Sequence, residues 1–302
     1  MTKFKAWLNA ARLRTLPLSI SGIIVGAALG DFYGYQNWTI FVLALFTTIG
    51  FQVTSNFAND YGDGVKGTDN EERVGPKRAL QSGILTREEL KKGIIVSIII
   101  DLFLSITLLI VAFGLENYLL ILLFFGMALA SVWAAIKYTV GTSAYGYRGL
   151  GDLFVFIFFG LLAVLGSLFL FTKFLTFSSI LPAIAIGLLS TAVLNLNNLR
   201  DAISDKNAGK NTLVVKMGYA NGKIYHYALL IFSFLSMMGF IVVNYTAWYN
   251  LIPLILFIPI VLHAKRVSKT TEPYLLDPEL KKVALNTFFL AVIFYLSFNI
   301  FS

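Results

Sequence analysis

Nine long apolar runs joined by short polar connections constrain this chain more than any other feature. They fall at residues 16–34, 38–58, 93–115, 117–137, 153–172, 178–197, 224–244, 247–263 and 283–301. Each approaches the roughly 20 residues that a helix needs to cross a bilayer. Lipid offers no water to backbone N–H and C=O groups, so continuous apolar runs of this length predict helices. Charged residues make up only 13% of the 302, where a soluble domain carries about 25%. The expectation is an all-α integral membrane protein, a single polytopic domain over residues 1–302 embedded in the lipid bilayer. The N-terminal stretch lacks a small-residue cleavage site and reads as a retained first span.

The basic residues give the orientation. Lys and Arg number four in residues 1–15, seven in 59–92, two in 137–152, five in 198–223 and five in 264–282. These alternate connections hold 23 of the chain's 24, and only Lys173 falls on the other side. The positive-inside rule then predicts a cytoplasmic N-terminus and cytoplasmic long loops, with the C-terminus outside after an odd number of spans. The net charge of +8 is accounted for by this basic membrane face, so no nucleic-acid partner is expected. Cysteine is absent, which excludes disulfide and thiolate chemistry. His226 and His263 lie far apart in sequence, so no histidine-based zinc site is expected.

Two acidic motifs stand at cytoplasmic helix ends. The first is Asn59-Asp60-Tyr61-Gly62-Asp63, with Asp69 beyond it; the second is Asp201-Ala202-Ile203-Ser204-Asp205, preceded by Asn197 and Asn198. On a helix, residues three, four and seven apart share a face. Asn56, Asp60 and Asp63 meet that spacing, as do Asn198, Asp201 and Asp205. Each helix end therefore presents two carboxylates and a side-chain amide toward one point. Such hard oxygen donors suit Mg²⁺, and two such sets flanked by cations suit a metal held on a diphosphate. One Asp at a helix end is ordinary; two spaced pairs, each with Asn upstream and Gly and Lys downstream, are not. The cations Arg14, Arg73, Lys77, Arg78, Lys206 and Lys210 are candidates for the diphosphate oxygens, beside the positive-inside bias that also accounts for them.

The motifs follow the second and sixth spans, four spans apart and on the same side, which suggests two related four-helix halves plus a ninth helix. Thr86-Arg87-Glu88-Glu89 predicts a capping box opening the third span. Asp101 lies inside that span, where it either faces a cavity or stays protonated beside Ser97 or Ser105.

At these residues the chain resembles the UbiA-type family of intramembrane aromatic prenyltransferases, which carries Asn-Asp-x-x-Asp after its second helix and Asp-x-x-x-Asp after its sixth. More narrowly it resembles the branch that acts on 1,4-dihydroxy-2-naphthoate. That narrower likeness rests on Gly64-Val65-Lys66-Gly67-Thr68-Asp69, Arg73-Val74-Gly75-Pro76, Tyr145-Gly146-Tyr147-Arg148-Gly149-Leu150-Gly151-Asp152, Asn197-Asn198-Leu199-Arg200-Asp201 and Gly209-Lys210-Asn211-Thr212-Leu213. The third acid of the first motif is displaced, since Gly67 occupies its usual place and Asp69 follows.

The resemblance implies a barrel-like helical bundle around a central cavity, in the cytoplasmic membrane of a bacterium. It implies transfer of a polyprenyl group from polyprenyl diphosphate to 1,4-dihydroxy-2-naphthoate with decarboxylation, giving demethylmenaquinol for menaquinone. Asn59, Asp60, Asp63, Asp69, Asn198, Asp201 and Asp205 would hold Mg²⁺. Because the acceptor is anionic, Lys137 and Arg148 are the candidate cations to orient it, with Asn56, Tyr138 and Tyr145 adding polar and stacking contacts. Asp152 either orients Arg148 or caps the fifth helix. The rivals are another aromatic acceptor, such as 4-hydroxybenzoate, a porphyrin or a chlorin, and an ion transporter. The transporter fits less well because the charges cluster at one face and do not line a crossing path.

Overall fold

The computed structural model describes residues 2–68 and 78–300. Among the described residues nine helices are long and apolar enough to span a membrane: Lys3–Phe32, Trp38–Lys66, Arg87–Phe113, Leu115–Lys137, Gly151–Thr172, Ile180–Arg200, Tyr219–Val243, Trp248–Lys269 and Pro273–Asn299. Within each half consecutive helices pack on one another, and the ninth packs on the first, sixth and eighth.

Several helices outrun the apolar segments that announce them, because hydropathy marks the lipid-embedded part while helical hydrogen bonding continues beyond it. The second runs on past residue 58 to Lys66, so the whole first acidic motif is helical. It stops at Gly67, whose left-handed backbone (φ 72°) lets its N–H cap the Asp63 carbonyl. The first span is broken: an interfacial helix Lys3–Ala11 ends at Arg12, a 3₁₀ turn covers Leu13–Thr15, and Leu16–Phe32 enters the membrane. The capping box is present, Glu89 N–H donating to Thr86 Oγ1 (3.2 Å) and Thr86 N–H to Glu89 Oε2 (2.9 Å).

Small residues bring the first and fifth spans together. A Cβ on Gly22, Gly26 or Gly30 would fall 2.6, 2.5 or 2.9 Å from a Cβ of the fifth span. This is the small-residue spacing by which helices associate where no hydrophobic drive exists between them. The fifth span is wound as a π-helix over Phe156–Gly166, a conformation often found beside functional cavities.

Buried polar groups join the helices elsewhere. Asp101 accepts from Thr54 on the second helix (2.6 Å), and neither Ser97 nor Ser105 is its partner as the sequence suggests. His226, His263 and Glu279 form a chain across the last three spans, with Nε2···Nε2 at 2.8 Å and His263 Nδ1···Glu279 Oε2 at 2.7 Å. The two imidazoles, distant in sequence, thus bond each other directly.

Candidate active site

The second helix delivers the first acidic pair. Asp60 is fully buried and accepts the Ala79 N–H at 3.1 Å from the segment that follows the motif. Asp63, one turn on, accepts the Tyr147 hydroxyl at 2.8 Å and stands 3.9 Å from the Arg78 guanidinium. Gly62 lies between them because the loop after the fourth span crosses there. A Cβ at Gly62 would come within 2.4 Å of Thr139 Oγ1, which donates to the Ala58 carbonyl at 3.1 Å.

The sixth helix delivers the second pair, with a change from the expected stripe. The helix ends at Arg200, Asp201 occupies the bend, and a short helix Ala202–Asn207 follows. The Asp205 N–H still bonds the Asp201 carbonyl at 2.8 Å, which keeps the two acids one turn apart. Arg200 holds both oxygens of Asp201, at 2.8 and 2.6 Å, and reaches Asp277 on the ninth helix at 2.5 Å and Asn197 at 2.8 Å. One Asp205 oxygen stands 3.6 Å from Lys210 Nζ; the other is buried without a hydrogen-bond partner. Burial pushes the Asp205 carboxyl up to about 6, against the pull of Lys210.

Lys210 is where the two tips meet. Burial opposes its charge, but Asp63 from one tip and Asp205 from the other outweigh that penalty and raise its pKa, so the ammonium persists. The loop between the fourth and fifth spans locks the arrangement. The Tyr147 hydroxyl contacts Asp63 and Thr68 (2.5 Å), its carbonyl accepts the Asn211 N–H at 3.1 Å, and its ring lies under Lys66 at 3.8 Å. Burial also pushes the Tyr138 phenol up to about 12, keeping it neutral.

Asp63, Arg78, Arg200 and Lys210 line a cavity of about 820 Å³, whereas Asp60, Asp201 and Asp205 are buried outside its lining. Asn56, Asn59, Asp63, Arg78 and Lys210 line its polar end, and Phe124, Phe158, Phe159, Leu162 and Leu170 its apolar part. Tyr138 and Tyr145 line it too; Tyr145 stacks on Phe154 at 3.9 Å between centroids and meets Tyr138 edge-on at 5.4 Å. Arg14 is exposed at the mouth.

The structure does not gather every residue that the sequence nominates. Lys137 and Arg148 are absent from the cavity wall: Arg148 is exposed, with only its carbonyl engaged by Lys216 at 2.6 Å. Lys206 is exposed and away from the cavity, and Asn198 is buried outside its lining. Asp152 does not meet Arg148, and Leu150 rather than Asp152 holds the N-cap position of the fifth helix. Asp152 is buried in the first turn, where its carboxyl accepts its own backbone N–H and the Tyr225 hydroxyl of the seventh span. Asp69, Arg73 and Lys77 lie outside the described residues. Conversely, Tyr147 and Arg200 carry the site's geometry beyond the residues that the sequence nominates. Tyr147 had a signal, standing in the Tyr-Gly-Tyr-Arg-Gly stretch; Arg200 read as an ordinary basic residue.

Asp63, Asp201 and Asp205 each stand beside a cation, and no group of three acids or histidines close enough to hold an ion exists among the described residues. The donor set still fits a hard divalent cation: carboxylates from two tips, adjacent amides, and an orphaned buried oxygen on Asp205.

Comparison with known proteins identifies the family. The pattern of the UbiA prenyltransferase family matches residues 19–274. The 1,4-dihydroxy-2-naphthoate octaprenyltransferase of Haemophilus influenzae is 43% identical over 97% of this chain and 96% of its own. That of Escherichia coli is 39% identical over 98% and 96%. Among solved structures, a UbiA homolog from Archaeoglobus fulgidus bound to DMAPP and Mg²⁺ has the same fold, with a TM-score of 0.65, 14% identity, and coverage of 96% of this chain and 99% of that one. The chain belongs to the UbiA prenyltransferase family.

Proposed function

We propose that this protein transfers a polyprenyl group from polyprenyl diphosphate to 1,4-dihydroxy-2-naphthoate, releasing diphosphate and carbon dioxide and giving demethylmenaquinol for menaquinone synthesis. The observation that carries the reading is the meeting of Asp63 and Asp205 around buried Lys210 at the polar end of an apolar cavity. Relatives covering nearly the full chain and named for this reaction support the acceptor.

Asp60, Asp63, Asp201 and Asp205, with Asn59, would hold Mg²⁺. When bound, the ion supplies positive charge to the diphosphate oxygens as they become a leaving group. The chain's own cations act beside it. Lys210 and Arg78 give fixed positive charge at the acid tips, and Arg14 stands at the entrance. As the allylic C–O bond breaks, its electron pair goes to the diphosphate, and charge fixed in a dry site stabilises that change more than water does. The apolar wall excludes water from the allylic cation, and the faces of Phe158 and Phe159 suit its charge. The ring carbon then forms the new C–C bond. Loss of the carboxylate as carbon dioxide returns an electron pair to the ring, so no net proton is gained or lost there. Tyr138 and Tyr145 present the aromatic surface against which the ring packs, the Tyr145 hydroxyl being engaged by the Ala134 carbonyl at 2.8 Å.

The protein is a multi-pass membrane protein. The cytoplasmic membrane of a bacterium, with the acid tips and N-terminus inside, is the placement favoured by 23 of 24 basic residues lying on one set of connections. The test of function is turnover by purified protein given Mg²⁺, a polyprenyl diphosphate and 1,4-dihydroxy-2-naphthoate. Prenylated naphthoquinol with released carbon dioxide is expected. Product formed only from another aromatic acid, such as 4-hydroxybenzoate, would reassign the acceptor, and no product from any would contradict the reaction.

A further inference from the structure

We propose that His226, His263 and Glu279 are positioning residues for the second acidic tip, and that the unpartnered Nδ1 of His226 makes their hold sensitive to acid. The inference deepens the prenyl-transfer reading of the cavity, in which the three have no part in the chemistry. The imidazoles belong to the seventh and eighth spans and the carboxylate to the ninth. All three side chains are buried, and all lie toward the end of the bundle that carries the acid tips. Polar groups are costly to bury, so a chain of three calls for a task.

The chain has a direction. Glu279 is a carboxylate held by two cations, Lys282 on its own helix and Arg266 at 3.6 Å. It therefore accepts, and His263 Nδ1 donates to it at 2.7 Å. A neutral imidazole carries one N–H, so His263 Nε2 is an acceptor, and His226 Nε2 donates to it across 2.8 Å. That leaves His226 Nδ1 as an acceptor, buried with no hydrogen-bond partner. Glu279, Lys282 and Arg266 act on His263. Among the described residues of the packed spans, His263 is the one titratable group that acts on His226, with the Tyr227 ring edge-on beside it.

A proton added at the free Nδ1 makes His226 a buried cation with no carboxylate of its own. Passing the charge along to His263 places a third cation around one carboxylate and leaves a buried N–H at His226 with nothing to bond. Either way acid opposes the hold, and it does so below about pH 6.5, where a histidine in the open chain takes its proton.

The ninth helix carries the hold to the tip. Asp277, Leu280, Lys281 and Ala284 line the cavity, at the spacing of one helix face. Glu279 and Asn286, two turns apart, form another face bonded to the eighth span, where the Asn286 amide donates to the Leu256 carbonyl at 2.8 Å. The opening turns of this helix thus meet the histidines on one side and the cavity on the other. Asp277, two residues before Glu279, holds Arg200 at 2.5 Å, and Arg200 holds both oxygens of Asp201. Loosening Glu279 frees the start of the helix, and the clamp on the second tip loosens with it.

The chain has two histidines, so one substitution assigns both. In full-length protein carrying ¹⁵N-histidine, NMR near neutral pH should show one Nδ1–H and one Nε2–H tautomer, with coupling across the shared Nε2–H···Nε2 bond. His226→Gln keeps an N–H for His263 but cannot take a proton; His226→Leu keeps neither. At about pH 8, His226→Gln should unfold within about 2 °C of wild type and, with polyprenyl diphosphate present, bind Mn²⁺ within about twofold. His226→Leu should bind Mn²⁺ about tenfold more weakly, as the grip on Asp201 slackens. From about pH 8 to about pH 5.5, the unfolding temperature of wild type should fall about 3 °C or more further than that of His226→Gln. Two identical tautomers, an equal response to acid in wild type and His226→Gln, or unchanged Mn²⁺ binding in His226→Leu would overturn the assignment. Where His226→Leu fails to fold, the contrast of wild type with His226→Gln in acid decides. The tautomer and unfolding arms need no turnover, so wild-type protein that passes both yet prenylates nothing would refute the reaction while sparing the histidine chain.

Discussion

The two acidic tips look alike in sequence and are built differently. In the first, Asp60 is anchored by a backbone N–H, and Asp63 reaches the cavity with a tyrosine hydroxyl on one oxygen. In the second, Asp201 is clamped by a neighbouring arginine that itself ties the sixth helix to the ninth, and Asp205 turns to Lys210 with its other oxygen unsatisfied. Each tip thus has an anchoring acid and a reaching acid. The anchors use different partners, a backbone amide in one half and a charged side chain in the other. The reaching acids share one, Lys210. A doubled motif conserves its working end while each half finds its own way to hold it.

Substitutions that treat anchors and reaching acids separately put this comparison at risk. The largest effect is expected on the reaching acids: Asp63→Ala or Asp205→Ala should each lower turnover about a thousandfold or more, since fixed charge at a leaving group is worth that much. Unfolding temperatures near wild type would show the loss to be chemical; a loss matched by unfolding would erase the distinction. Next comes the charged anchor. Arg200→Ala leaves Asp201 buried without its partner and should cost about 3–5 kcal/mol, read as a fall in thermal stability before any kinetic effect is considered. Asp60→Ala removes an acid that accepts a backbone N–H and should lower stability by less, about 1–3 kcal/mol, with a loss of turnover smaller than that of Asp63→Ala or Asp205→Ala.

The bridge between the tips gives a smaller effect. Tyr147→Phe removes the hydroxyl shared by Asp63 and Thr68 and should cost about 1 kcal/mol with a turnover loss near tenfold. Smallest in function is Thr54→Val, which removes the partner of Asp101 remote from the tips. Stability should fall by about 1–2 kcal/mol with the kinetic constants of the remaining folded protein unchanged.

Much of this was legible in the chain. The nine spans were, because a bilayer demands length and apolarity that few other folds imitate. The acid pairs were, because helical spacing places Asp60 with Asp63 and Asp201 with Asp205 whatever surrounds them. What surrounds them was not legible. Arg200 and Lys206 sit six residues apart and look equivalent in sequence, yet one is buried in a clamp and the other points to solvent. Arg148 and Tyr147 are neighbours in one loop, and the direction of a 3₁₀ turn sends the tyrosine inward and the arginine out.

The central claim is that the two tips act on one ion and one diphosphate. Electron paramagnetic resonance with Mn²⁺ in place of Mg²⁺, in the presence of polyprenyl diphosphate, tests it most directly through wild type, Asp63→Ala, Asp205→Ala and the double variant. A shared site predicts that each single change abolishes most bound Mn²⁺ and that the second adds little. Full Mn²⁺ binding retained in either single variant, or losses that simply add, would show the tips to work apart.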